Sequence, residues 1–165
     1  VIFGDGAGAA VLERGENYLD AVITVKGGDT VIKIPHGNGN SPYFKREQDS
    51  PYIHMQGQET FKYAVTAISQ DVSTLLERNH LTFDDIAWIV PHQANKRIID
   101  FAAKRLGISQ DKFFCNIEKY GNTSAASVGL ALDEAVNGGR IKSGDKVLMC
   151  AFGAGRTWGA VVLEL

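Results

Sequence analysis

The chain has 165 residues, of which 44% are hydrophobic and 22% charged, and 17 Lys and Arg against 19 Asp and Glu give a formal net charge of -2. This composition is typical of one globular domain, and its near-neutrality argues against a global basic field that would bind nucleic acid or anionic membranes. No apolar run approaches the roughly 20 residues that span a bilayer, and the first residues lack the order of a signal peptide, so we expect a cytoplasmic protein.

Apolar residues in the first 34 positions form short runs separated by glycine, which predicts strands and hairpins. The runs are residues 1–3, 9–12, 21–25 and 31–34. Because the chain opens on the apolar Val1 and not on Met, we expect it to be a piece of a longer protein. Residues 35–52 are dense in turn-forming and polar residues and predict a long exposed loop of the kind that often covers a site or a partner.

After this loop the spacing of apolar residues changes to three and four. Residues 61–76 place their apolar side chains on one stripe, which predicts a helix of roughly 20 residues. The elements predicted next are a strand at 86–90, a helix at 95–106, a strand at 113–117, a helix at 123–136, and strands at 146–152 and 158–163. This order predicts an α/β layered fold with a mixed sheet.

The two cysteines, Cys115 and Cys150, are too few for a disulfide framework and lack the CxxC or His-rich surroundings of a zinc site. Both lie in strand-like runs, so we expect both to be buried. The sequence predicts no metal site.

Residues 4–9 read GDGAGA and satisfy a loose dinucleotide-binding pattern, with Asp29 about twenty residues further on. That pattern needs a helix to open at its last glycine, whereas residues 10–15 are too short and too β-like to form one. We therefore favour a glycine-rich turn between two strands and keep a dinucleotide-binding domain as the alternative.

Polar residues follow two of the predicted strands where each strand ends. His92 comes directly after the strand at 86–90, and Asn122 lies at the equivalent place in the next β/α unit. Because ligands bind at the carboxyl ends of strands in α/β sheets, both side chains are candidate donors to one point. The alternatives are a core histidine and, for Asn122, a helix N-cap or a glycosylation sequon. The glycine-rich turn at residues 153–155 can present backbone N–H groups to an oxyanion.

Several stretches, in order and at suitable spacing, together resemble the C-terminal half of the β-ketoacyl-acyl carrier protein synthase III family, which initiates bacterial type II fatty acid synthesis. They are residues 4–9, 52–57, 90–95, 120–127, 132–135 and 152–159, including the PHQAN, GNTSAAS and FGAGRTWG motifs. The resemblance implies a thiolase-like, layered α-β-α-β-α fold built from two similar halves, and a homodimer. On this view residues 1–34 end the N-terminal half and begin the C-terminal half, and residues 53–165 form the C-terminal condensing-enzyme domain.

The family converts acyl-CoA and malonyl-acyl carrier protein to 3-oxoacyl-carrier protein, CoA and CO2, with no cofactor beyond these substrates. The resemblance assigns His92 and Asn122 to the catalytic His and Asn, and the N–H of Ala154 to a second oxyanion site. The nucleophilic cysteine belongs to the N-terminal half, and neither Cys115 nor Cys150 matches its position. We therefore expect the chain alone to be inactive.

The resemblance also implies residues that bind the substrates. The pantetheine arm of CoA is expected to pass Gly57, Phe61, Ala94 and Asn95. The acidic acyl carrier protein is expected at a basic patch, whose candidate residues are Gln93, Lys62, Lys96, Arg97, Lys104 and Arg105. Arg97 and Lys104 lie seven residues apart on one face of a helix, and the alternative is an ordinary solvated face.

Two other functions stay open on the sequence. One is another thiolase-like condensing enzyme, of polyketide or quinolone type. The other is a non-catalytic domain that binds a carrier protein or a dinucleotide.

Overall fold

A computed structural model describes residues 2–28, 30–34 and 52–165. Except for Tyr52, the loop predicted at residues 35–52 lies outside the described residues. In chain order the elements are β1 (Tyr18–Val25), β2 (Ile32–Lys33), β3 (His54–Met55), α1 (Gly57–Arg78), β4 (Trp88–Pro91), α2 (Lys96–Leu106), a 3-10 turn (Gln110–Lys112), α3 (Ile117–Tyr120), α4 (Ala126–Asn137), β5 (Lys146–Gly153) and β6 (Thr157–Glu164).

The main sheet has four strands in the order β1-β6-β5-β4. β6 pairs antiparallel with both β1 and β5, whereas β4 and β5 run parallel. β2 and β3 form a separate two-stranded sheet. The prediction of an α/β fold with a mixed sheet is confirmed.

Helices cover both faces of the main sheet. On one face, α1 and α2 pack their apolar stripes against the sheet, and the core there includes Ile68 and Leu75 of α1, Ile99 of α2, and Leu148 and Val162 of the sheet. On the other face, Ala131 and Ala135 of α4 pack against Val90 and Val147. The described residues therefore form three layers, helix, sheet and helix, of the five that the resemblance implies.

The helix predicted at 95–106 is confirmed as α2, which ends at Leu106 as predicted and begins one residue later, at Lys96. The side chain of Asn95 accepts a hydrogen bond from the Arg97 N–H at 2.9 Å, which satisfies a free N–H of the first turn. At the other end, Gly107 adopts φ 70°, the left-handed conformation that glycine tolerates best. The long helix is also confirmed, since α1 has 22 residues.

Some predicted strands are wrong. Residues 9–12 form no strand: Val11 and Leu12 are 99% and 91% exposed, and β-rich sequence needs a partner surface to become a strand. At residues 113–117 only Phe113 makes a single bridge, to Ile89, and the short helix α3 then begins at Ile117. Near the N-terminus, Phe3 makes one isolated bridge and the strand predicted at 31–34 shrinks to β2.

The helix predicted at 123–136 begins later, at Ala126. The reason is local, because the Asn122 side chain accepts a hydrogen bond from the Ser124 N–H at 2.9 Å and Ser124 adopts φ 55°. This side-chain turn competes with the first helical turn. The N-cap interpretation of Asn122 is therefore wrong, since the cap residue is Ala125.

None of the helices in the described part of the chain is long and apolar enough to cross a bilayer.

Candidate active site

A cavity of about 1040 Å3 opens at the carboxyl ends of β4 and β5. These two strands run parallel, so the residues that follow or end them lie at one edge of the sheet. The predicted site residues that line the cavity are His92, Asn122, Ala154, Gly57, Phe61, Ala94, Asn95, Lys62 and Arg97. Gln93, Lys96, Lys104 and Arg105 do not line it.

His92 is held in place by the end of the sheet and by α4. Its backbone N–H donates to the Cys150 carbonyl at 2.7 Å, which extends the β4–β5 ladder by one residue. Its Nδ1 atom lies 2.6 Å from the Ser127 hydroxyl oxygen. Burial lowers the pKa of His92 to about 4, so the imidazole is neutral near pH 7.

The Ser127 hydroxyl determines which nitrogen of the His92 ring carries the proton. Its oxygen accepts a hydrogen bond from the Gln93 N–H at 3.2 Å, and the only acceptor for its one proton among the described residues is the Nδ1 atom of His92. A neutral imidazole that accepts at Nδ1 carries its proton on Nε2. The ring is therefore a neutral donor through Nε2–H.

Asn122 is oriented in a comparable way. Its Oδ1 atom accepts the Ser124 N–H, which leaves the amide NH2 group as the donor end of the side chain. Asn122 is buried, with 9% of its surface exposed, and it lines the same cavity as His92. The structure thus brings two neutral N–H donors, one from an imidazole and one from an amide, to one cavity.

A row of aromatic side chains supports the His92 ring. Phe152 contacts it edge-on with the ring centroids 5.3 Å apart, and Tyr63 of α1 contacts Phe152 at 6.1 Å and Trp158 at 5.4 Å. Burial raises the pKa of the Asp71 carboxyl, which Trp158 approaches, to about 6. These contacts restrict how the His92 ring can move.

Ala154 lies in the turn between β5 and β6, where Gly155 adopts φ 81°. Its carbonyl accepts the Thr157 hydroxyl at 3.0 Å, whereas its N–H has no hydrogen-bond partner among residues 2–28, 30–34 and 52–165. The residue is exposed and lines the cavity. Its N–H can therefore serve a ligand.

The structure corrects one binding assignment. Gln93 is 1% exposed, so it cannot contact a carrier protein at the surface. Its amide donates to the carbonyls of Pro91 and Phe114 at 2.9 and 3.0 Å, and its oxygen accepts the Asn116 N–H at 3.3 Å. Gln93 is instead a buried cross-link between the end of β4 and the segment before α3.

The basic residues of α1 and α2 differ in how strongly they are paired. Lys62 lies 3.1 Å from Glu59 and Lys96 lies 2.6 Å from Asp100, each on its own helix. Arg105 reaches the Thr66 hydroxyl at 3.3 Å. Neither Arg97 nor Lys104 forms an ion pair with a described residue. Of these two, Arg97 also lines the cavity, and its guanidinium carbon lies 5.8 Å from the centroid of the Phe61 ring.

Neither cysteine has the environment of a nucleophile. Cys150 is buried, as predicted, and burial raises the pKa of its thiol to about 12. Cys115 is only half-buried, but desolvation raises the pKa of its thiol as well. A thiol whose pKa is raised carries little thiolate near pH 7, and the thiolate is the reactive form.

Residues 4–9 do not form a dinucleotide site. No helix follows them, as the sequence predicts. The prediction of a turn between two strands is wrong, because no strand forms at residues 9–12 and the segment lies against residues 120–130.

Sequence reasoning missed Ser127. One signal could have found it: Ser127, Ala131 and Ala135 recur every four residues and are the buried residues of α4. A polar residue on the buried face of a helix needs a hydrogen-bond partner, and here the partners are His92 and Gln93.

Comparison with known proteins places these observations in a family. Residues 76–165 match the family model described as "3-Oxoacyl-[acyl-carrier-protein (ACP)] synthase III C terminal". The chain is 44% identical over 171 residues to the beta-ketoacyl-[acyl-carrier-protein] synthase III of Clostridium perfringens (strain SM101 / Type A), covering 100% of this chain and 52% of that protein. It is 46% identical over 168 residues to the protein of the same name from Blochmanniella floridana, covering 99% and 51%.

Among solved structures, the crystal structure of 3-oxoacyl-[acyl-carrier-protein] synthase III from Aquifex aeolicus VF5 is similar with a TM-score of 0.80 and 36% identity, covering 94% of this chain and 46% of that one. The chain therefore spans about half the length of the curated relatives it matches.

Proposed function

The chain belongs to the 3-oxoacyl-[acyl-carrier-protein] synthase III family through its C-terminal domain, and on that premise we propose that it forms the C-terminal half of a condensing enzyme of fatty acid synthesis. The complete enzyme would transfer an acyl group from acyl-CoA to a cysteine and then to malonyl-carrier protein, releasing CoA and CO2. Residues 53–165 would form the condensing domain, and residues 1–34 would join it to the other half.

The observation that carries this proposal is the pair of neutral donors in one cavity. Loss of CO2 from malonyl-carrier protein leaves an enolate whose thioester oxygen is negative, and the Nε2–H of His92 and the amide of Asn122 would hold that oxygen. Each aimed donor contributes about 3 kcal/mol to transition-state stabilisation. Neutrality matters because a donor that stays uncharged cannot protonate the enolate before it attacks the acyl group.

The nucleophile would come from the half of the family's length that this chain does not span. A thioester exchange needs a thiolate that is both a strong nucleophile and a good leaving group. The raised pKa values of Cys115 and Cys150 are the opposite of that requirement. The chain alone would then bind substrate parts without turning them over.

The cavity also has the features needed to hold a thioester. The N–H of Ala154 would donate to the second oxyanion, formed when the enolate attacks the acyl-cysteine. The path of the pantetheine arm would be lined by Gly57, Phe61, Ala94 and Asn95, which is consistent with their place on the cavity wall.

The carrier protein would dock at the mouth of this path. Acyl carrier protein is acidic, and two basic residues on the cavity wall, Lys33 and Arg97, form no ion pair with a described carboxylate. Lys104 would extend the attraction along α2, with smaller contributions from the paired or bonded Lys62, Lys96 and Arg105. We further propose a cytoplasmic homodimer that needs no cofactor besides its substrates.

The test separates the two halves of the reaction. In the complete enzyme, His92→Ala and Asn122→Ala should each reduce CO2 release from malonyl-carrier protein by about 100-fold or more, while acyl transfer from acyl-CoA to cysteine stays measurable. Asn137→Ala is the matched control, since Asn137 is an exposed asparagine at the end of α4. Equal loss of both steps in the two variants would contradict the assigned roles, and a complete enzyme that condenses no acyl-CoA with malonyl-carrier protein would contradict the function.

A further inference from the structure

The extended segment at the start of the described chain is bonded to the backbone of Asn122. The Gly4 N–H donates to the Asn122 carbonyl at 2.9 Å, and the Asn122 N–H donates to the Ile2 carbonyl at 3.4 Å. These two bonds make Phe3 and Asn122 partners in an isolated parallel bridge. Both polar groups of the Asn122 backbone are therefore fixed by a segment more than a hundred residues away in the sequence.

The Cβ positions of the three glycines in this segment, Gly4, Gly6 and Gly8, all face residues 120–130, from the end of α3 into α4. A Cβ atom added at Gly4 would lie 2.1 Å from the Tyr120 carbonyl oxygen. At Gly6 it would lie 2.9 Å from a methyl group of Leu130 and 3.0 Å from a methyl group of Thr123. At Gly8 its nearest neighbour would be 3.5 Å away, an ordinary contact.

The three positions thus differ in what a methyl group would displace. At Gly4 the obstacle is backbone, and the Tyr120 carbonyl would have to retreat by at least about 0.9 Å, from 2.1 Å to the 3.0 Å below which such contacts are not found. Tyr120 is followed by Gly121, at φ 68°, and then by Asn122. A shift at Tyr120 therefore passes through one residue to the Asn122 side chain.

We propose that Gly4 is a positioning residue for Asn122: its N–H fixes the Asn122 carbonyl and its missing side chain lets the Tyr120–Asn122 backbone close on the segment. This inference rests on the proposed role of Asn122 as an enolate donor. It gives the GDGAGA motif a function unrelated to nucleotides. A misplacement of about 1 Å in a positioned group is enough to reduce a rate by about 100-fold.

The test compares three glycines in the complete enzyme. Gly4→Ala should reduce CO2 release from malonyl-carrier protein by about 30- to 100-fold and change acyl transfer to cysteine less than about threefold. Gly8→Ala is the matched control and should leave both steps within about twofold. Gly138→Ala controls for stability, because its methyl group would lie 2.8 Å from the Glu134 backbone oxygen, a comparable clash at the end of α4 away from Asn122.

Each outcome decides the inference. A Gly138→Ala variant that loses as much CO2 release as Gly4→Ala would attribute the effect to general destabilisation and overturn the inference. The double variant Gly4→Ala/Asn122→Ala should be no slower in CO2 release than Asn122→Ala, because Gly4 acts through Asn122, and a further large loss would contradict this.

A failure of this inference is distinguishable from a failure of the proposed function. If Asn122→Ala leaves CO2 release unchanged, the donor role of Asn122 is wrong. If Asn122→Ala releases CO2 slowly while a folded Gly4→Ala variant releases it at the normal rate, only the role of Gly4 is wrong. Should Gly4→Ala not fold, hydrogen exchange on the unaltered enzyme decides. The amides of Gly4 and Asn122 should exchange at least about 100-fold more slowly than in an unstructured peptide, and unprotected amides would overturn the inference.

Discussion

Removal of the Ser127 hydroxyl is the most direct test of how His92 is oriented. In Ser127→Ala, the Nδ1 atom of His92 loses the donor that lies 2.6 Å away, and the Gln93 N–H loses its acceptor. The imidazole can then place its proton on Nδ1, where it faces the protein and not the cavity. In the proposed complete enzyme, we therefore expect the variant to lose CO2 release from malonyl-carrier protein while it retains acyl transfer to cysteine.

The size of this loss has two limits. A net hydrogen bond is worth about 1 kcal/mol, which sets a lower limit of about fivefold. Complete loss of one oxyanion donor costs about 3 to 4 kcal/mol, which sets an upper limit of about 100- to 1000-fold. The ring keeps its contact with Phe152, so we expect a value between these limits, about 10- to 100-fold.

Stability and the state of the ring are measured alongside the rate. The buried Gln93 N–H left without a partner should cost about 1 to 3 kcal/mol of unfolding free energy. Ser69→Ala is the matched control: Ser69 is equally a buried helical serine, and its hydroxyl donates to the Val65 carbonyl at 2.8 Å, far from the chemistry. It should cost about 1 kcal/mol or less and leave both steps unchanged.

Nitrogen NMR of labelled histidine identifies the tautomer. The unaltered enzyme should show His92 with its proton on Nε2, and Ser127→Ala should show a mixture. The reasoning is refuted if the unaltered enzyme carries the proton on Nδ1, or if a folded Ser127→Ala releases CO2 at the normal rate.

Two further variants test the buried carboxyl and the docking surface. Burial raises the pKa of Asp71 to about 6 from 3.8, so the stability that its protonated form contributes is present below pH 3.8 and is lost as the pH rises through 6. Asp71→Asn should therefore raise the unfolding free energy by about 1 to 3 kcal/mol at pH 8 and by almost nothing near pH 4. Urea denaturation at the two pH values measures this difference, and an equal gain at both would contradict the raised pKa of Asp71. Arg97→Glu should raise the KM for malonyl-carrier protein by about tenfold and the KM for acyl-CoA much less. Lys142→Glu makes the same charge change before β5 and should alter neither KM. Equal effects of the two variants would exclude a specific role for Arg97.

The elements predicted correctly are those that residue types determine locally. Asn95 and Gly107 bound α2 because an asparagine side chain satisfies a first-turn N–H and glycine tolerates a positive φ, whatever surrounds them. The stripe of α1 is equally local, since its spacing alone places the apolar residues on one face.

The features that the sequence did not reveal depend on distant partners. Residues 9–12 have the composition of a strand, but no described strand lies beside them. Glutamine is usually a surface residue, but Gln93 is buried because its side-chain amide forms hydrogen bonds with three backbone groups from two segments. His92 could be predicted because it directly follows a strand of the sheet. Asn122 could be predicted because Phe113 still pairs in parallel with Ile89, although no strand forms at residues 113–117. The orienting hydroxyl of Ser127 could not be predicted, since it comes from a helix packed behind that edge of the sheet.

The groups that orient the two donors lie apart from one wall of the cavity. The Ser127 hydroxyl and the Ser124 N–H approach the donors from α4 and the loop before it, whereas Ile34, Ile53 and Met55 line the cavity from the β2–β3 side. The shape of the cavity and the orientation of the donors are thus encoded by separate parts of the chain. An engineer could reshape the β2–β3 wall, by library selection for example, without re-optimising the hydrogen bonds that orient His92 and Asn122.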